Sequence, residues 1–329
     1  MRGKAPFYTE EVIQKHISGE DPDLYPNVNW YDELFNDFGS NSRVNVNISG
    51  GADIAQYYLS LGYYTETGQF KTEDIDSYNS KLKRDRFNFT SNLDLNVTKT
   101  TKLAFGVNGY LMNYNRPNAG DNAIFGLATT YSPHITPVRY SNGQWPYLAG
   151  TAINPYQAMT QSGIQNSYQN AIRSNIKLTQ QLGFITEGLS VSGMFAFDAN
   201  FDSNLHRGRT FSGYFAEGRD DQGNLITRIT REGTENLDFL LTRYSLRKMY
   251  TEAALNYSRS FGLHEVGGLF LFNQSDMADG KSNVDTYIEA IPYRQRNIVG
   301  RATYAYDKKY LLEGNFSYSG SDNFDPNNR

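Results

Sequence analysis

Cysteine is absent from this sequence of 329 residues, and tryptophan occurs only twice. The lack of cysteine excludes a disulfide framework, a thiolate metal site and a cysteine nucleophile. An excess of positive charge is also missing, because 31 Lys and Arg stand against 35 Asp and Glu, and no basic patch is interleaved with aromatics. A chain with this balance has no long-range attraction for a phosphate backbone. We therefore expect no nucleic-acid partner.

Long apolar runs are missing as well. No stretch reaches the roughly 18 to 20 consecutive apolar residues that a membrane helix requires, and the mean hydropathy is -0.60. A membrane protein is still possible, because a strand in a transmembrane barrel presents only every second residue to lipid. The chain is rich in aromatic residues, with 25 Tyr and 20 Phe, and these favour strands. The N-terminus lacks the apolar centre of a signal peptide, so we expect the leader of an exported protein to lie outside this sequence.

Common catalytic and metal-binding signatures are absent too. The four His, at 16, 134, 206 and 264, lack the spacing of a zinc site, and no nucleophile elbow, complete Walker run or dinucleotide-binding glycine motif occurs. Carboxylate pairs such as Asp198 and Asp202 are explained more simply by polar strand positions than by glycosidase chemistry. An Asp/Asn-rich C-terminus lacks the Gly and Glu of a calcium-binding EF-hand and reads as a solvated loop. We predict no enzymatic activity, no cofactor and no metal site.

Residues 7–38 differ in pattern from the rest of the chain. Val12, Ile13, His16 and Ile17 share one face of a helix, and Thr9 is placed to cap it. The pattern predicts one short helix followed by a connection that Pro residues interrupt. We assign residues 1–40 to a helix and connecting segment on the extracellular side, and residues 41–329 to a β-barrel.

From Ser42 onward the sequence alternates between apolar and polar residues, which is typical of strands. In RFNFTSNLDLNV, residues 86–97, Phe87, Phe89, Leu93 and Leu95 fall on one face and polar residues fall on the other. About ten such runs occur. They lie near 41–49, 54–65, 84–97, 102–114, 170–182, 189–202, 244–260, 265–275, 297–306 and 310–320.

The connections between these runs alternate strictly between short and long. Short turns fall near 50–53, 98–101, 183–188, 261–264 and 307–309, and long connections near 66–83, 115–169, 203–243 and 276–296. A barrel that crosses a membrane up and down has short periplasmic turns and long outer loops. About ten residues per strand also span the apolar band of roughly 25 Å. Tyr57, Tyr63, Tyr64 and the Tyr residues of the last two strands are expected to form an interfacial girdle.

Five segments together form a recognisable series of motifs. They are YPNVNWYDELF (25–35), VNVNISGGADIAQYYLSLGYYTETGQF (44–70), RFNFTSNLDLNVTKTTKLAFGVN (86–108), INPYQA (153–158) and GRATYAYDKKYLLEGNFSYSGSDNF (300–324). In this order they resemble the SusC/RagA family of TonB-dependent outer-membrane transporters. The last motif departs from the family pattern, because Ser317 to Asp322 replace an Arg-x-Asp-Gly-Ser-Ser run. A role for that Arg/Asp pair is therefore not carried over.

The resemblance implies an all-β membrane protein whose ten or so antiparallel strands form part of a barrel of about 22 strands. It implies energy-coupled uptake of oligosaccharides or peptides across the bacterial outer membrane. The implied partners are the TonB complex, reached through an N-terminal plug, and a SusD-like surface lipoprotein. The plug and the remaining strands are expected outside this chain. An open ten-stranded sheet would leave unpaired backbone groups at two edges in lipid, so we expect that this segment alone does not insert as a channel.

Two alternatives remain open at this stage, namely a passive porin or structural barrel, and a soluble carbohydrate-binding β-domain. A soluble domain would pack its Phe/Leu faces against a second sheet. If the protein is an importer, substrate contacts are expected from the loops and the upper lumen. Candidate substrate-binding residues are Tyr131, Trp145 and Tyr147, for stacking on sugars, and Arg86, Asn88, Asn92 and Asp94, for hydrogen bonds. Trp145 and its neighbours could equally pack the loop on itself or on a lipoprotein.

Overall fold

The computed structural model describes residues 8–73, 78–234, 236–281 and 291–322. Ten strands form one antiparallel sheet in which every strand pairs with its neighbour in the chain, except that β6 pairs with β9. These strands are β1 (Ser40–Gly51), β2 (Ala55–Thr67), β3 (Lys83–Asn96), β4 (Thr101–Pro117), β5 (Gly163–Gln181), β6 (Leu189–Gly208), β9 (Asp238–Phe261), β10 (His264–Lys281), β11 (Tyr293–Tyr306) and β12 (Tyr310–Ser321). β1 and β12 are not paired with each other, so the sheet is open.

The remaining elements lie in the chain before β1 and in two of the long connections. They are α1 (Glu10–Ser18), α2 (Trp30–Leu34), α3 (Asp121–Thr130), α4 (Pro155–Thr160) and the hairpin of β7 (Gly213–Arg219) and β8 (Leu225–Arg231). Among the described residues, no helix is long and apolar enough to span a membrane. Thr9 caps α1 as expected, because its hydroxyl accepts from Val12 N–H at 3.4 Å.

The predicted ten-stranded up-and-down sheet is confirmed, and so is the alternation of short and long connections. The prediction of a single short helix was wrong, because α2, α3, α4 and the β7–β8 hairpin also form. The strands are also longer than predicted on the side of the long connections: β5 begins at Gly163, β6 ends at Gly208 and β9 begins at Asp238. The extensions lack period-2 alternation in their sequence, so the pattern did not predict them.

The pairing register sorts the strand residues into two faces. Phe89 of β3 pairs with Leu61 of β2 and with Gly109 of β4, while Thr90 pairs with Ser60 and Asn108. Directly paired residues of an antiparallel sheet point to the same side. One face therefore carries Phe, Leu, Val and Tyr residues, and the other carries Asn, Ser, Thr and charged residues. A Cβ added at Gly109 would lie only 2.7 Å from Phe89 Cζ. Glycine at this position therefore leaves room for the Phe89 ring.

The apolar face has no second layer against it in the described part of the chain. Val46, Leu61 and Phe316 remain 57%, 65% and 63% exposed. A soluble sheet would bury such side chains, whereas a transmembrane wall leaves them to lipid. The soluble β-domain is therefore not supported, because it required a second sheet over this face.

Aromatic residues lie at both ends of the apolar face. Tyr57, Tyr304, Tyr306 and Tyr310 lie near the short turns, and Tyr63 and Tyr318 lie toward the long connections. The predicted girdle position of Tyr64 was wrong. Its side chain lies on the polar face, where the hydroxyl donates to Glu66 Oε2 at 3.0 Å.

The long connections and the segment before β1 pack into a small unit that we call the outward lobe, made of residues 8–39, 68–73, 118–162 and 209–234. Its apolar core comes from α2, α3, α4 and the start of the β2–β3 connection. The core residues are Trp30, Leu34, Phe70, Ile124, Ala128, Tyr131 and Met159. The lobe lies at one end of the sheet, on the side of the long connections.

Candidate binding surface on the polar face and the outward lobe

Arg86 lies on the polar face near the lobe end of β3 and is held from two sides. Its Nε donates to Asn88 Oδ1 at 2.9 Å, and its guanidinium carbon lies 4.2 Å from the ring centroid of Tyr110 on β4. A hydrogen bond and a cation–π contact together restrict the rotamers of a long side chain. Two of the predicted polar residues, Arg86 and Asn88, are therefore in direct contact.

A second Arg–Tyr pair lies one step further toward the outward lobe. Arg84 Nη1 lies 3.4 Å from Glu66 Oε2, and its guanidinium lies 4.8 Å from the ring of Tyr114. The Tyr114 hydroxyl donates to Asp121 at the start of α3 at 2.6 Å. The polar face is thus linked by hydrogen bonds to the lobe above it.

Between these pairs is a groove of about 370 Å³. It is lined by Arg43, Asn45, Ser60, Tyr64, Arg84, Arg86, Asn88, Thr90 and neighbouring residues. Of its three guanidinium groups, only Arg84 forms an ion pair with a carboxylate among the described residues. The groove offers convergent donors, an aromatic ring and little apolar surface, which suits a polar or anionic ligand.

Asn92 and Asp94 lie on the same face of β3 but further toward the short turns, and both are exposed. Asp94 lines a separate groove with Gln56, Lys102 and Lys177. Asn92 and Asn175 lie on either side of Gly106. A Cβ added at Gly106 would be 3.3 Å from the Asn92 side chain and 3.1 Å from the Asn175 side chain. The predicted polar residues of β3 therefore form one row along the wall, but Arg86 and Asn88 line one groove and Asp94 lines another.

The predicted stacking aromatics lie in the outward lobe, and their rings are largely covered. Tyr131 is 5% exposed and Trp145 is 8% exposed. Trp30 meets the Tyr131 ring edge-on at 5.5 Å, and the Arg139 guanidinium lies 4.7 Å from the Trp145 ring. Burial raises the pKa of the Tyr131 hydroxyl. Both rings pack the lobe, which is the alternative to sugar stacking that the sequence left open, and little of either ring is accessible.

Tyr147 is only partly covered, because the Arg231 guanidinium lies 4.2 Å from its ring. Its backbone holds the β7–β8 hairpin in place. Tyr147 N–H donates to Tyr214 O at 2.8 Å, and Tyr214 N–H donates to Trp145 O at 2.8 Å. The long connection and the hairpin therefore pair as strands do.

Arg219 joins three segments of the lobe. Its Nε and Nη2 lie 2.6 and 2.8 Å from the two carboxylate oxygens of Asp21, and Nη2 lies 2.8 Å from Asp23 Oδ2. Asp23 also accepts from the backbone N–H and the hydroxyl of Ser141. Hydrogen bonds from Arg219 lower the pKa of Asp21. A bidentate Arg–carboxylate pair is a strong and directional contact.

Asn154 explains why the INPYQA segment folds as it does. Its Oδ1 accepts from the N–H groups of Tyr156 and Gln157 at the start of α4. Its Nδ2 donates to the carbonyls of Pro137 and Val138. Pro155 occupies the first turn of α4, where its missing N–H leaves no hydrogen bond unmade. One fully buried side chain therefore joins the helix to the preceding loop.

Asn154→Ala should loosen α4 and the 137–138 loop together. The helix loses its N-cap, which costs about 0.5 to 2 kcal/mol, and the two buried carbonyls lose their donor. We expect faster hydrogen exchange in residues 137–161 of the full-length protein. Asn142→Ala is the matched control, because Asn142 is exposed and bonds only within its own turn. Equal exchange in the two variants would contradict this role.

An open antiparallel wall with one apolar face, one polar face and all its long connections at one end defines a segment of a transmembrane β-barrel. Sequence comparison agrees with this class. The chain is 25% identical over 349 aligned residues to TonB-dependent receptor P3 of Formosa agariphila, and 26% identical over 331 to TonB-dependent receptor P26 of the same organism. The alignments cover 98% and 94% of this chain but 32% and 31% of the two receptors, so the chain spans about a third of their length. No protein-family model matches the chain.

Solved structures share the fold. The RagAB peptide importer in its open-open state aligns with 99% of this chain and 38% of its own, with a TM-score of 0.65 and 15% identity. The outer membrane transporter YddB from Escherichia coli aligns with 86% of this chain and 34% of its own, with a TM-score of 0.51 and 9% identity. The predicted resemblance to TonB-dependent, RagA-like barrel transporters is confirmed, and so is the outer-membrane location.

Sequence reasoning did not name Arg43, Arg84, Tyr64, Tyr110 or Tyr114 as candidate binding residues. A signal for the last two is present, because the alternation in KLAFGVNGYLMNY (102–114) puts Tyr110 and Tyr114 on the same side as Asn108. What the sequence could not supply is the register that places Arg84 beside Tyr114 and Arg86 near Tyr110.

Proposed function

We propose that this chain forms part of the wall of a TonB-dependent importer that takes up oligosaccharides or peptides together with a SusD-like surface lipoprotein. In this proposal residues 1–40 belong to the extracellular side and residues 41–329 to the barrel. The TonB complex acts through a plug encoded elsewhere in the full-length protein. Arg86, Asn88, Asn92 and Asp94 contact the substrate as it passes along the polar face.

The observation that carries this proposal is the continuous polar path from the outward lobe to the wall. Asp121 of the lobe bonds Tyr114, Tyr114 lies against Arg84, and Arg84 borders the groove that also contains Arg86 and Asn88. A substrate released below the lobe would meet donors and an aromatic ring at once. Amide, hydroxyl and carboxylate groups of peptides and glycans suit these partners.

A passive porin is the alternative, because a polar lumen also suits simple diffusion. The two functions differ in their need for energy. In a strain that expresses the full-length gene, uptake of a labelled candidate substrate by an importer should stop when TonB is deleted. Uptake that continues unchanged without TonB would favour the porin.

Arg86→Gln in the full-length protein should raise the KM of uptake about tenfold without changing the amount of folded barrel. Loss of one charge-assisted hydrogen bond to substrate is worth about 1.5 to 3 kcal/mol, and 1.4 kcal/mol corresponds to a factor of ten. Lys83→Gln is the control, because Lys83 lies on the same strand but on the opposite face. A KM shift that is the same for both variants would contradict a contact between Arg86 and substrate.

A further inference from the structure

The apolar face of the sheet carries a group of arginines at one place on its rim. On β11, Arg294 and Arg296 lie on the same face as Ile298 and Tyr304, as the pairing with β10 shows. On β9, Arg247 pairs with Ala199 of β6 and so lies on the same face as Phe197 and Phe195, two and four residues before Ala199. All three arginines are exposed.

These arginines lie directly above the apolar band, on the side of the long connections. On β11 the first outward positions beyond Ile298 are Arg296 and Arg294, and on β9 the first beyond Met249 is Arg247. Below them on the same face are Phe270, Phe272, Phe316 and Tyr318. Because the long connections mark the extracellular side, this rim lies at the headgroups of the outer leaflet.

Charge on this part of the rim is only partly neutralised. Arg294 Nε lies 2.8 Å from Asp276 Oδ2, so that pair is balanced. Arg296 Nε donates to the neutral Gln274 at 2.8 Å. No carboxylate pairs with Arg247 or Arg296 in the ranges that the structure describes. Two cations on the membrane side therefore have no carboxylate partner among the described residues.

The rest of the rim has a different composition. On β1 to β5, the positions just beyond the apolar residues are Ser42, Thr65, Asp85, Asn113 and Asn170. Lys83, the cation next to them, lies 3.1 Å from Asp85. Among the rim positions named here, the arginines without a described carboxylate partner lie on β9 and β11.

We propose that Arg247 and Arg296, with Arg294 beside them, bind the phosphate groups of a glycolipid in the outer leaflet. Guanidinium groups match phosphate oxygens in a bidentate way. From strand geometry, the Cα atom of Arg247 is about 12 Å from that of Arg294 and about 16 Å from that of Arg296. Three long side chains can reach one headgroup across these spans. The Phe and Tyr residues below the arginines contact the acyl chains of the same lipid.

The test uses the full-length protein purified from outer membranes, with bound lipid counted by native mass spectrometry. Phosphorylated lipid A in nanodiscs is the probe, and lipid A without phosphates is its comparison. Arg247→Gln combined with Arg296→Gln leaves the Arg294–Asp276 pair intact. We expect this variant to retain at least fivefold less phosphorylated lipid A, with folding unchanged.

Arg301→Gln is the matched control, because Arg301 lies on β11 but on the polar face, where it pairs with Glu313. It should retain lipid A like the wild type. Equal retention of lipid A with and without phosphates by the wild type would overturn the proposal. Unchanged lipid binding in the double variant would also overturn the proposal. This holds even if the double variant alters the oligomeric state.

Discussion

Val46→Arg should strongly reduce the amount of folded barrel, whereas Asn47→Arg, one residue further along β1, should be tolerated. Val46 is 57% exposed and pairs with Leu61 in the middle of the apolar face. An arginine at the bilayer midplane costs about 2 to 4 kcal/mol. Asn47 lies on the polar face opposite Ser60, where the charge stays hydrated.

Urea unfolding of the full-length protein in lipid vesicles measures this difference. Because Val46 is exposed, its replacement removes little packing within the protein. The change in unfolding free energy therefore reports the contact of this side chain with lipid. We expect Asn47→Arg to unfold within about 1 kcal/mol of the wild type. Equal destabilisation by both variants would mean that the two faces of β1 have the same surroundings.

Arg219→Met should release the β7–β8 hairpin from the rest of the outward lobe. The variant leaves the Asp21 and Asp23 carboxylates without their cation, and Asp23 is only 8% exposed. Removing one partner of a fully buried pair costs about 3 to 5 kcal/mol. Arg219 is partly exposed, so we expect a smaller loss of local stability than for a fully buried pair. Hydrogen exchange in residues 138–147 and 213–231 should increase while the strands remain protected.

Arg228→Met is the matched control within the same hairpin. Arg228 pairs with Glu217 at 2.7 Å, but both side chains are well exposed, and such pairs contribute about 0 to 1 kcal/mol. Exchange rates in this variant should therefore stay near the wild type. If the two variants opened the lobe equally, Arg219 would have no special role as its link.

The link should also weaken in acid. The pKa of Asp21 is lower in the folded lobe than its ordinary value because of hydrogen bonds from Arg219. A carboxyl with a lowered pKa contributes its full stabilisation above its unfolded pKa of about 3.9 and loses it as the pH falls through the folded value. Exchange in the hairpin should therefore rise only below about pH 4. In Arg219→Met this acid-dependent increase should be much smaller.

The wall of the protein could be predicted well from the sequence, because the membrane imposes a simple pattern. Phe87, Phe89, Leu93 and Leu95 meet lipid, and the residues between them meet water, so the alternation is visible in one sequence. Beyond the membrane that constraint ends. The first residues of β5 and β9 show no alternation of apolar and polar residues. The sequence pattern therefore did not predict that they belong to these strands.

The outward lobe could not be predicted, because its contacts join distant parts of the chain. Trp30 meets Tyr131, and Asp21 meets Arg219 across 198 positions. Nothing in the local sequence around Trp145 separates a ring packed under Arg139 from one free to bind a sugar. The Asn-Pro pair at 154–155 did carry a local signal, because Asn followed by Pro is a good start for a helix.

The central claim is that alternate residues of β3 face lipid and a polar interior. Because this segment contains no Cys, single Cys residues can be placed at each position from 86 to 95 of the full-length protein, with any Cys elsewhere replaced. Labelling in intact outer membranes by a hydrophilic thiol reagent should be strong at the even positions and weak at the odd ones. A lipid-soluble quencher should affect probes only at the odd positions. Uniform labelling, or the opposite alternation, would contradict a membrane-spanning wall with this orientation.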